Sequence, residues 1–533
     1  MAKRRHVRPR VANAHPLRYL CRAMARFAAI DVGSNAMRAR IVELDRVRGA
    51  ASAGAFRELA SQRAPLRLGR DVFRLGALSP RAIAATCDAL RRVRDAMDDA
   101  RVEVYRAVAT SAVREAKNGA VLVERAEREA GVRLEIIEGV EEARLVALAV
   151  ERRLELAERS ALLVDVGGGS TEVTLVQRGH TRWSQSLQVG TVRLLEAFGS
   201  EGGAWTPKQL AMLDRQIDRA LVEAPRELSS GNVDLLVGTG GNVDSLAVLC
   251  PAPTPDGTGV DVGRMRALLV TIAPLTAEAR AERYALRPDR ADVIVPAAAI
   301  LLRLAERLRI GTIAAPGVGL KEGILEEIAA RHFSRWDTGA EEQLVLEAAL
   351  RLGRRYRFDE PHGLLVANAA ATLFDALTSK HGLARRDRLL LHTGALLHDV
   401  GDFVRYEGHH KHGQYLIEHG DLMGLTPVER RVVACLARYH RKGPPDPAHE
   451  GYGALGRDDR QRVRVLTALL RIADALDREH RGKVKAVRPV VERGKLVVRV
   501  DAEASIDLEE WTLAHKAGLF REVFGMDVVV VAN

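Results

Sequence analysis

The 533-residue sequence has few cysteines and no long apolar run. Its four cysteines, at positions 21, 87, 250 and 435, are scattered and form no Cys-x-x-Cys pair. This argues against a disulfide scaffold and a cysteine zinc site, and it fits a reducing compartment. The longest apolar candidate, Val293–Leu302, contains Pro296 and stops at Arg303. With neither a spanning helix nor a secretory apolar segment, the sequence predicts a cytoplasmic protein without a membrane partner.

Acidic residues are missing from positions 1–26, which hold eight of the 81 Lys and Arg residues. The net charge is +11, and this segment leaves only +3 for residues 27–533. We predict a basic, disordered extension, as translation from a start codon upstream of Met24 would produce; the alternative is a polyanion-binding tail. Because the remaining chain is nearly balanced, bulk charge is a poor argument for a nucleic-acid partner, and none is expected.

A unit of strand, Asp-x-Gly turn and strand occurs twice, 134 residues apart. A repeat at this distance predicts two related lobes rather than a solenoid. A third glycine turn, Gly238–Asn242, follows another apolar strand. The two copies comprise Phe27–Ile30, Asp31–Asn35 and Arg40–Leu44, then Ala161–Val164, Asp165–Ser170 and Thr171–Val176.

The paired turns have the composition of phosphate loops. Gly33 and Gly167–Gly169 let a phosphate approach backbone amides, and the neighbouring Ser and Asn side chains add donors. Asp31 and Asp165 end their strands, where a carboxylate can hold Mg²⁺ directly or through water. One such turn would usually be a simple hairpin, but two matching copies favour phosphate binding.

These turns resemble the two phosphate loops of the actin, heat-shock chaperone and sugar kinase superfamily. Within it, the order of further motifs resembles the exopolyphosphatase and guanosine pentaphosphate phosphatase family. The resemblance extends from Phe27 to the C-terminus and implies a two-lobed actin-like (ribonuclease H-like) fold. The further motifs are Ala109–Arg114, Glu135–Arg144, Gly238–Gly241, Arg290–Ile294 and Gly317–Gly323.

The resemblance implies roles for individual residues. Glu142 matches the general base that deprotonates the attacking water, and Asp31 and Asp165 match the Mg²⁺-associated carboxylates. Ala36 and Lys321 depart from the family pattern, and the lysine loses a bidentate fork. The phosphate-binding residues would be Gly33, Ser34, Asn35, Arg38, Thr110, Ser111, Arg114, Gly167, Gly168, Gly169, Ser170 and Gly240. The alternatives are that Arg38 and Arg114 are solvated surface arginines and that Glu142 is an ordinary helix-face glutamate, like Glu138 and Glu141.

Nine of the 16 histidines fall between His362 and His440, in a region of successive amphipathic helices. Their order resembles the HD phosphohydrolase superfamily, which implies a second divalent metal held by His362, His398, Asp399 and Asp474, with His410 and His440 as auxiliary residues. The alternative is a structural, polymer-binding domain without turnover. In that case His409 and His412, beside Lys411, would contact polyanion. Asp477 is expected to be solvated.

These patterns divide the chain into five segments. Residues 1–26 form the extension, 27–143 and 144–330 the two phosphatase lobes, 331–480 an all-α HD-like domain, and 481–533 a small α+β domain.

The sequence therefore predicts a cytoplasmic, Mg²⁺-dependent exopolyphosphatase that removes terminal phosphate from inorganic polyphosphate. Removal of the 5′-phosphate of guanosine pentaphosphate (pppGpp) is an alternative with the same chemistry. A kinase or ATPase binding adenosine near Gly238–Asn242, and a nonenzymatic polyphosphate or alarmone sensor, are alternatives from other classes. The family resemblance also implies a homodimer.

Overall fold

The computed structural model describes residues 24–45, 56–200, 202–221, 233–255, 257–332, 338–441 and 443–532. Most of the predicted basic extension, residues 1–23, lies outside these ranges. Its last residues do not belong to an extension, because the first strand begins at Met24. The guanidinium of Arg26 donates to Glu43 on the next strand (Nε–Oε1 3.0 Å), which ties these residues to the fold.

The first lobe is built on a five-stranded sheet in the order β3-β2-β1-β4-β5. The first three strands pair antiparallel, and β4 and β5 run parallel to β1. The strands are β1 (Met24–Val32), β2 (Met37–Asp45), β3 (Phe56–Ala64), β4 (Val104–Ala109) and β5 (Leu134–Ile136). The helices are α1 (Leu68–Leu75), α2 (Pro80–Asp99), α3 (Ser111–Glu115), α4 (Gly119–Ala130) and α5 (Gly139–Glu151).

The second lobe repeats this topology in a seven-stranded sheet ordered β10-β11-β12-β9-β6-β7-β8. Its strands are β6 (Ser160–Val166), β7 (Thr171–Gln177), β8 (His180–Leu187), β9 (Leu235–Thr239), β10 (Pro251–Thr254), β11 (Gly257–Asp261) and β12 (Thr312–Ala314). The helices are α6 (Thr191–Phe198), α7 (Pro207–Leu221), α8 (Gly241–Leu249), α9 (Val262–Ile272), α10 (Ala277–Arg283), α11 (Pro288–Ala291), α12 (Ile294–Leu308) and α13 (Leu320–His332).

The shared order, β3-β2-β1-β4-β5 in one lobe and β8-β7-β6-β9-β12 in the other, confirms the two-lobed actin-like fold. The expected boundary between residues 143 and 144 lies inside α5. This helix packs against α13, and the two share a buried apolar cluster with residues of both sheets, including Phe27 and Leu163. The lobes therefore meet through a common core rather than at a linker.

A helical region follows, as expected. Its helices are α14 (Thr338–Arg355), α15 (Glu360–Ala376), α16 (Thr378–His381), α17 (Arg385–Leu397), α18 (His409–Glu418), α19 (Pro427–Tyr439), α20 (Glu450–Gly453) and α21 (Arg457–Ala475), with a short 3₁₀ turn at Val400–Phe403.

The C-terminal segment forms a small sheet ordered β13-β14-β15 with two helices beside it. Its elements are β13 (Val484–Glu492), β14 (Lys495–Ala502), α22 (Asp507–Lys516), α23 (Gly518–Phe524) and β15 (Asp527–Ala532). Leu496 and Phe520 are buried in the same apolar cluster as Leu469 and Ile472 of α21. Residues 481–532 thus share one core with the helical region. Among the described residues, no helix combines the length and hydrophobicity needed to cross a membrane.

Candidate functional site

The two glycine turns close in the same way and face each other between the lobes. The amide of Gly33 donates to the carbonyl of Ala36 (3.2 Å), and that of Gly167 donates to the carbonyl of Ser170 (3.1 Å). A Cβ on Gly168 would lie 2.9 Å from the Cβ of Ser34. Only glycine lets the two turns approach this closely.

A cleft at this meeting point collects most of the residues predicted from the sequence. The third glycine turn completes it: Gly240 has φ 92°, and a Cβ there would lie 3.2 Å from Asp165 Oδ1. The predicted residues that line the cleft are Asp31, Gly33, Ser34, Asn35, Arg38, Thr110, Ser111, Glu142, Asp165, Gly167, Gly168, Ser170 and Gly240.

Two predicted phosphate-binding residues are not part of the lining. Gly169 lies behind it, where a Cβ would meet Ser111 Oγ at 2.4 Å. Arg114 is anchored by its Nη1, which donates to the carbonyl of Ile137 (2.6 Å). The same nitrogen lies 4.0 Å from Oε2 of Glu142, so this arginine lies beside a carboxylate that lines the cleft.

The cleft also contains residues that the sequence reasoning missed, namely Thr191, Asn242 and Arg290. Arg290 is 5% exposed and donates to Asn242 Oδ1 (3.0 Å). Burial, with the charge of nearby Arg38, lowers the pKa of Arg290 to about 9. The charged form of Arg290 would be stabilised by an anion bound beside it. Arg290 is the first residue of the Arg290–Ile294 motif, one of the stretches that resemble the family, and that motif was the sequence signal for it.

Three buried carboxylates form the other side of the site. Ligand atoms of Glu142, Asp165 and Glu172 lie within 4.8 Å of one another. Glu142 Oε2 and Glu172 Oε2 are buried without a hydrogen-bond partner. Ser186 donates to Glu172 (2.7 Å), and Thr239 donates to Asp165 (2.7 Å). Glu172 was also missed; its signal is that it is the one charged residue of strand β7.

Burial and mutual repulsion disfavour the ionised forms of these carboxylates. Burial raises the pKa of Asp31 to about 6, and burial with the charge of Asp165 raises that of Glu172 to about 7. The pKa of Glu142 is raised well above its usual value by burial and by Glu172. Burial also raises the pKa of Asp165, although Thr239 opposes the shift. Such a group either keeps protons or takes up a cation.

The predicted histidine set gathers in the helical region. His362, His398, Asp399 and His440 lie together, with Asp474 Oδ1 3.7 Å from His398 Nε2. One expectation, the solvation of Asp477, is wrong.

His409, the first residue of α18, contacts Asp399 and His440. The group formed with Asp399 and His440 contains His409, and the auxiliary role of His410 stays a prediction. Asp477, expected to be solvated, is buried and bonds His362 Nδ1 (2.8 Å).

Comparison with known proteins agrees with this architecture. Residues 47–332 match the Ppx/GppA phosphatase family, and residues 346–522 match domain III of that family. The second match crosses the predicted boundary at residue 481, in keeping with the shared core.

Two curated relatives are named guanosine-5′-triphosphate,3′-diphosphate pyrophosphatase. The one from Photobacterium profundum is 26% identical over 78% of this chain and 80% of its own length. The one from Aeromonas hydrophila is 27% identical over 84% and 86%. An exopolyphosphatase structure from Cytophaga hutchinsonii, 23% identical, covers 57% of this chain and 97% of its own, with a TM-score of 0.51, and shares the fold. The chain therefore belongs to the Ppx/GppA phosphatase family, whose members hydrolyse phosphoanhydride bonds.

Proposed function

We propose that the cleft hydrolyses the terminal phosphoanhydride bond of inorganic polyphosphate. The observation that carries this proposal is the opposition of two matched glycine turns and a buried carboxylate cluster across one narrow cleft. One side offers donors to a phosphate, and the other offers a group that can take a proton from water. In-line phosphoryl transfer to water requires both groups, on opposite sides of the phosphate.

The donors would hold the end of the phosphate chain. Ser34 and Ser111 hydroxyls lie 2.9 Å apart at the turn, and Arg38 and Arg290 bring positive charge to the same cleft. Charge-assisted hydrogen bonds to phosphate oxygens are stronger than neutral ones. Arg38 and Arg290 would therefore stabilise the charge on the equatorial oxygens of the reacting phosphoryl group.

Glu142 would act as the general base. Its raised pKa suits a group that must accept a proton near neutral pH, and Arg114, 4.0 Å away, opposes part of the rise. The oxygen of water attacks the terminal phosphorus, the proton passes to Glu142, and the bridging P–O bond breaks. Orthophosphate and a chain one unit shorter are released.

The carboxylate cluster also fits a hard divalent cation. Glu142 and Glu172 each carry a buried oxygen without a hydrogen-bond partner, and carboxylates are preferred ligands of Mg²⁺. Asp31, Asp165 and Glu172 would hold the ion. When bound, the ion supplies positive charge that offsets the negative charge of the phosphate oxygens. Glu142 would remain directed at water.

A basic groove adjoining the cleft supports a polymeric substrate. Its lining includes Arg63, Arg287 and Lys321 in addition to Arg38 and Arg290, and Asp244 is the single acidic residue that lines it among the described parts of the chain. No aromatic side chain lines this groove or the neighbouring pocket beside Arg67 and Arg70, as far as the described residues extend. Such a surface suits a flexible row of phosphates better than a stacked purine.

Hydrolysis of pppGpp is the second candidate, because the curated relatives with that activity in their names match over at least 80% of their length. The test is orthophosphate release from long-chain polyphosphate and pppGpp side by side, at equal concentrations of terminal phosphate. We expect faster release from polyphosphate with Mg²⁺. Glu142→Gln should lower the rate at least a hundredfold, and the exposed Glu158→Gln should not. Faster release from pppGpp would make pppGpp hydrolysis the first candidate. Full activity of Glu142→Gln would overturn the assignment of Glu142 as the general base.

A further inference from the structure

The short helix α11 carries Arg290 into the cleft, and residues of both lobes hold it there. It belongs to the second lobe and spans only Pro288–Ala291. Asn35, in the first glycine turn, donates from Nδ2 to the carbonyl of Asp289 (3.0 Å). The carboxylate of Asp289 pairs with Arg63 of β3. Two contacts from the first lobe therefore converge on the residue that precedes Arg290.

Asp292, two residues after Arg290, makes a third contact between the lobes. Its Oδ2 lies 2.8 Å from Nη2 of Arg67, which precedes α1 of the first lobe. Within the described part of the chain, its Oδ1 is buried without a hydrogen-bond partner. Burial raises the pKa of Asp292, and the positive charges of Arg67 and Arg280 oppose that rise. The carboxylate therefore depends on these two arginines, one from each lobe, to stay ionised.

Arg280 holds α11 from within the second lobe. Its side chain is fully buried, and its guanidinium donates to four backbone carbonyls. One of them is the carbonyl of Ala291 at the end of α11 (Nη1–O 2.9 Å). The others belong to Gly203, Ile272 and Ala273. Because a guanidinium presents its N–H donors in a rigid plane, Arg280 ties the end of α11 to the body of its own lobe.

Arg67 connects α11 to the first glycine turn, and its own backbone is strained. Its φ is 54°, in the left-handed region that few residues other than glycine and asparagine adopt. Its amide donates to the carbonyl of Asn35 (2.9 Å), so the backbone of Arg67 is fixed to the turn. Strain of this kind persists where the surrounding structure holds it, and it clusters at functional sites. The backbone of Arg67 thus contacts a proposed phosphate loop, and its side chain contacts the segment that carries Arg290.

We propose that Arg67 is a positioning residue for phosphoanhydride hydrolysis, which acts through Asp292 to hold Arg290 against the reacting phosphoryl group. This role rests on the proposed function of the cleft, because Arg290 can act only on an anion bound there. Without the pair between Arg67 and Asp292, α11 loses one of its two ion pairs with the first lobe. Arg290 would then be held less precisely, and a misplaced charged donor stabilises the transition state less.

The first test is kcat/KM for orthophosphate release from long-chain polyphosphate and, in parallel, from pppGpp. Asparagine tolerates the left-handed backbone but is too short to reach Asp292. Arg67→Asn should therefore keep the wild-type thermal midpoint and lower kcat/KM about tenfold. Lysine keeps the charge, so Arg67→Lys should lose much less.

A matched control is available in the same lobe. Arg94 also pairs with an aspartate, Asp98, and its side chain is 38% exposed, against 39% for Arg67. This pair lies within α2 and does not reach the second lobe. Arg94→Gln should leave kcat/KM unchanged.

Double variants distinguish positioning from a merely structural role. If Arg67 acts through Arg290, Arg67→Asn should cost about tenfold in the wild-type background but about twofold or less in the Arg290→Gln background. Asp292→Asn should behave in the same way. Equal losses in both backgrounds would overturn the proposal.

Hydrogen–deuterium exchange gives a readout that needs no activity. Residues 287–293 should exchange faster in Arg67→Asn than in the wild type, because opening of a segment becomes easier when a contact that holds it is lost. Unchanged exchange there would overturn the role of the ion pair. A wild-type chain that releases no phosphate from either substrate would overturn the proposed function and this role with it. A wild-type kcat/KM in Arg67→Asn would overturn the role of Arg67 alone.

Discussion

The guanidinium of Arg114 lies 4.0 Å from the carboxylate of Glu142, while the same Nη1 donates to the carbonyl of Ile137 at 2.6 Å. The backbone contact holds a fixed positive charge beside the proposed base. Arg114 lowers the pKa of Glu142 against the larger effect of burial. We propose that Arg114 adjusts the pKa of the base.

Arg114→Gln should therefore move the acidic limb of the pH–rate profile to higher pH by about one unit, because a nearby opposite charge typically lowers a carboxyl pKa by about that amount or more. On the acidic limb the rate should fall about tenfold, and it should recover at higher pH. Phosphate release measured from pH 5 to 9 checks this. Arg133→Gln, whose side chain is 84% exposed, is the control. A uniform loss at every pH would contradict the adjusting role.

The carboxylate cluster should make stability depend on pH when divalent cations are absent. The pKa of Glu172 is raised from 4.5 to about 7 in the folded chain, so folding favours its neutral form. The stabilisation is present at pH 4.5 and below, and it is lost as the pH rises through about 7. One such group changes the free energy of unfolding by about 3 kcal/mol.

We expect the thermal midpoint in chelator to fall between pH 5 and pH 8, and Glu172→Gln to reduce that fall. Mg²⁺ should restore the wild-type midpoint at pH 8 and affect the variant less. Exposed Glu155→Gln serves as the matched control. An identical pH dependence in wild type and Glu172→Gln would mean that other groups determine it.

Gly168 should not tolerate a side chain, although its φ lies outside the left-handed region and would allow one. Its added Cβ would lie 2.9 Å from Ser34 Cβ and 3.3 Å from Val192 Cγ2, so Gly168→Ala should push the two turns apart. Overpacking of this kind costs about 1–3 kcal/mol, and we expect KM for the phosphate substrate to rise about tenfold. Gly311→Ala, where nothing lies within 4 Å, should leave KM unchanged. An unaffected KM in Gly168→Ala would contradict the close approach of the turns.

The helical region should help to position the base. Val140, two residues before Glu142, is buried in the apolar cluster of that region, beside Leu422 and Leu425. Val140→Ala should lower kcat severalfold with little change in KM, because the start of α5 loses packing worth about 1 kcal/mol. Steady-state kinetics check this against Val121→Ala, which is 43% exposed. A lower thermal midpoint with unchanged kcat would show that the contact of Val140 stabilises the fold but does not position the base.

The parts of the site that the sequence predicted share one property: they carry a local signature. Asp31, Gly33, Asp165 and Gly167 belong to strand–turn–strand units whose apolar alternation and glycines are readable along the chain. Arg290 and Glu172 each had a sequence signal, a family-like motif and a lone charge within a strand. Both were missed because such a signal does not show whether the side chain points inward or to solvent.

By itself, the sequence determined the duplicated lobes, the glycine turns, the carboxylates at the strand ends and the histidine-rich helices, because backbone periodicity and turn chemistry are local. Only the tertiary structure decided that Arg114 faces Glu142, that Glu172 joins the carboxylate cluster, that His409 rather than His410 meets Asp399, and that residues 481–532 share a core with the preceding helices. Each of these depends on the direction of a side chain toward residues distant in sequence, which packing sets and periodicity does not encode.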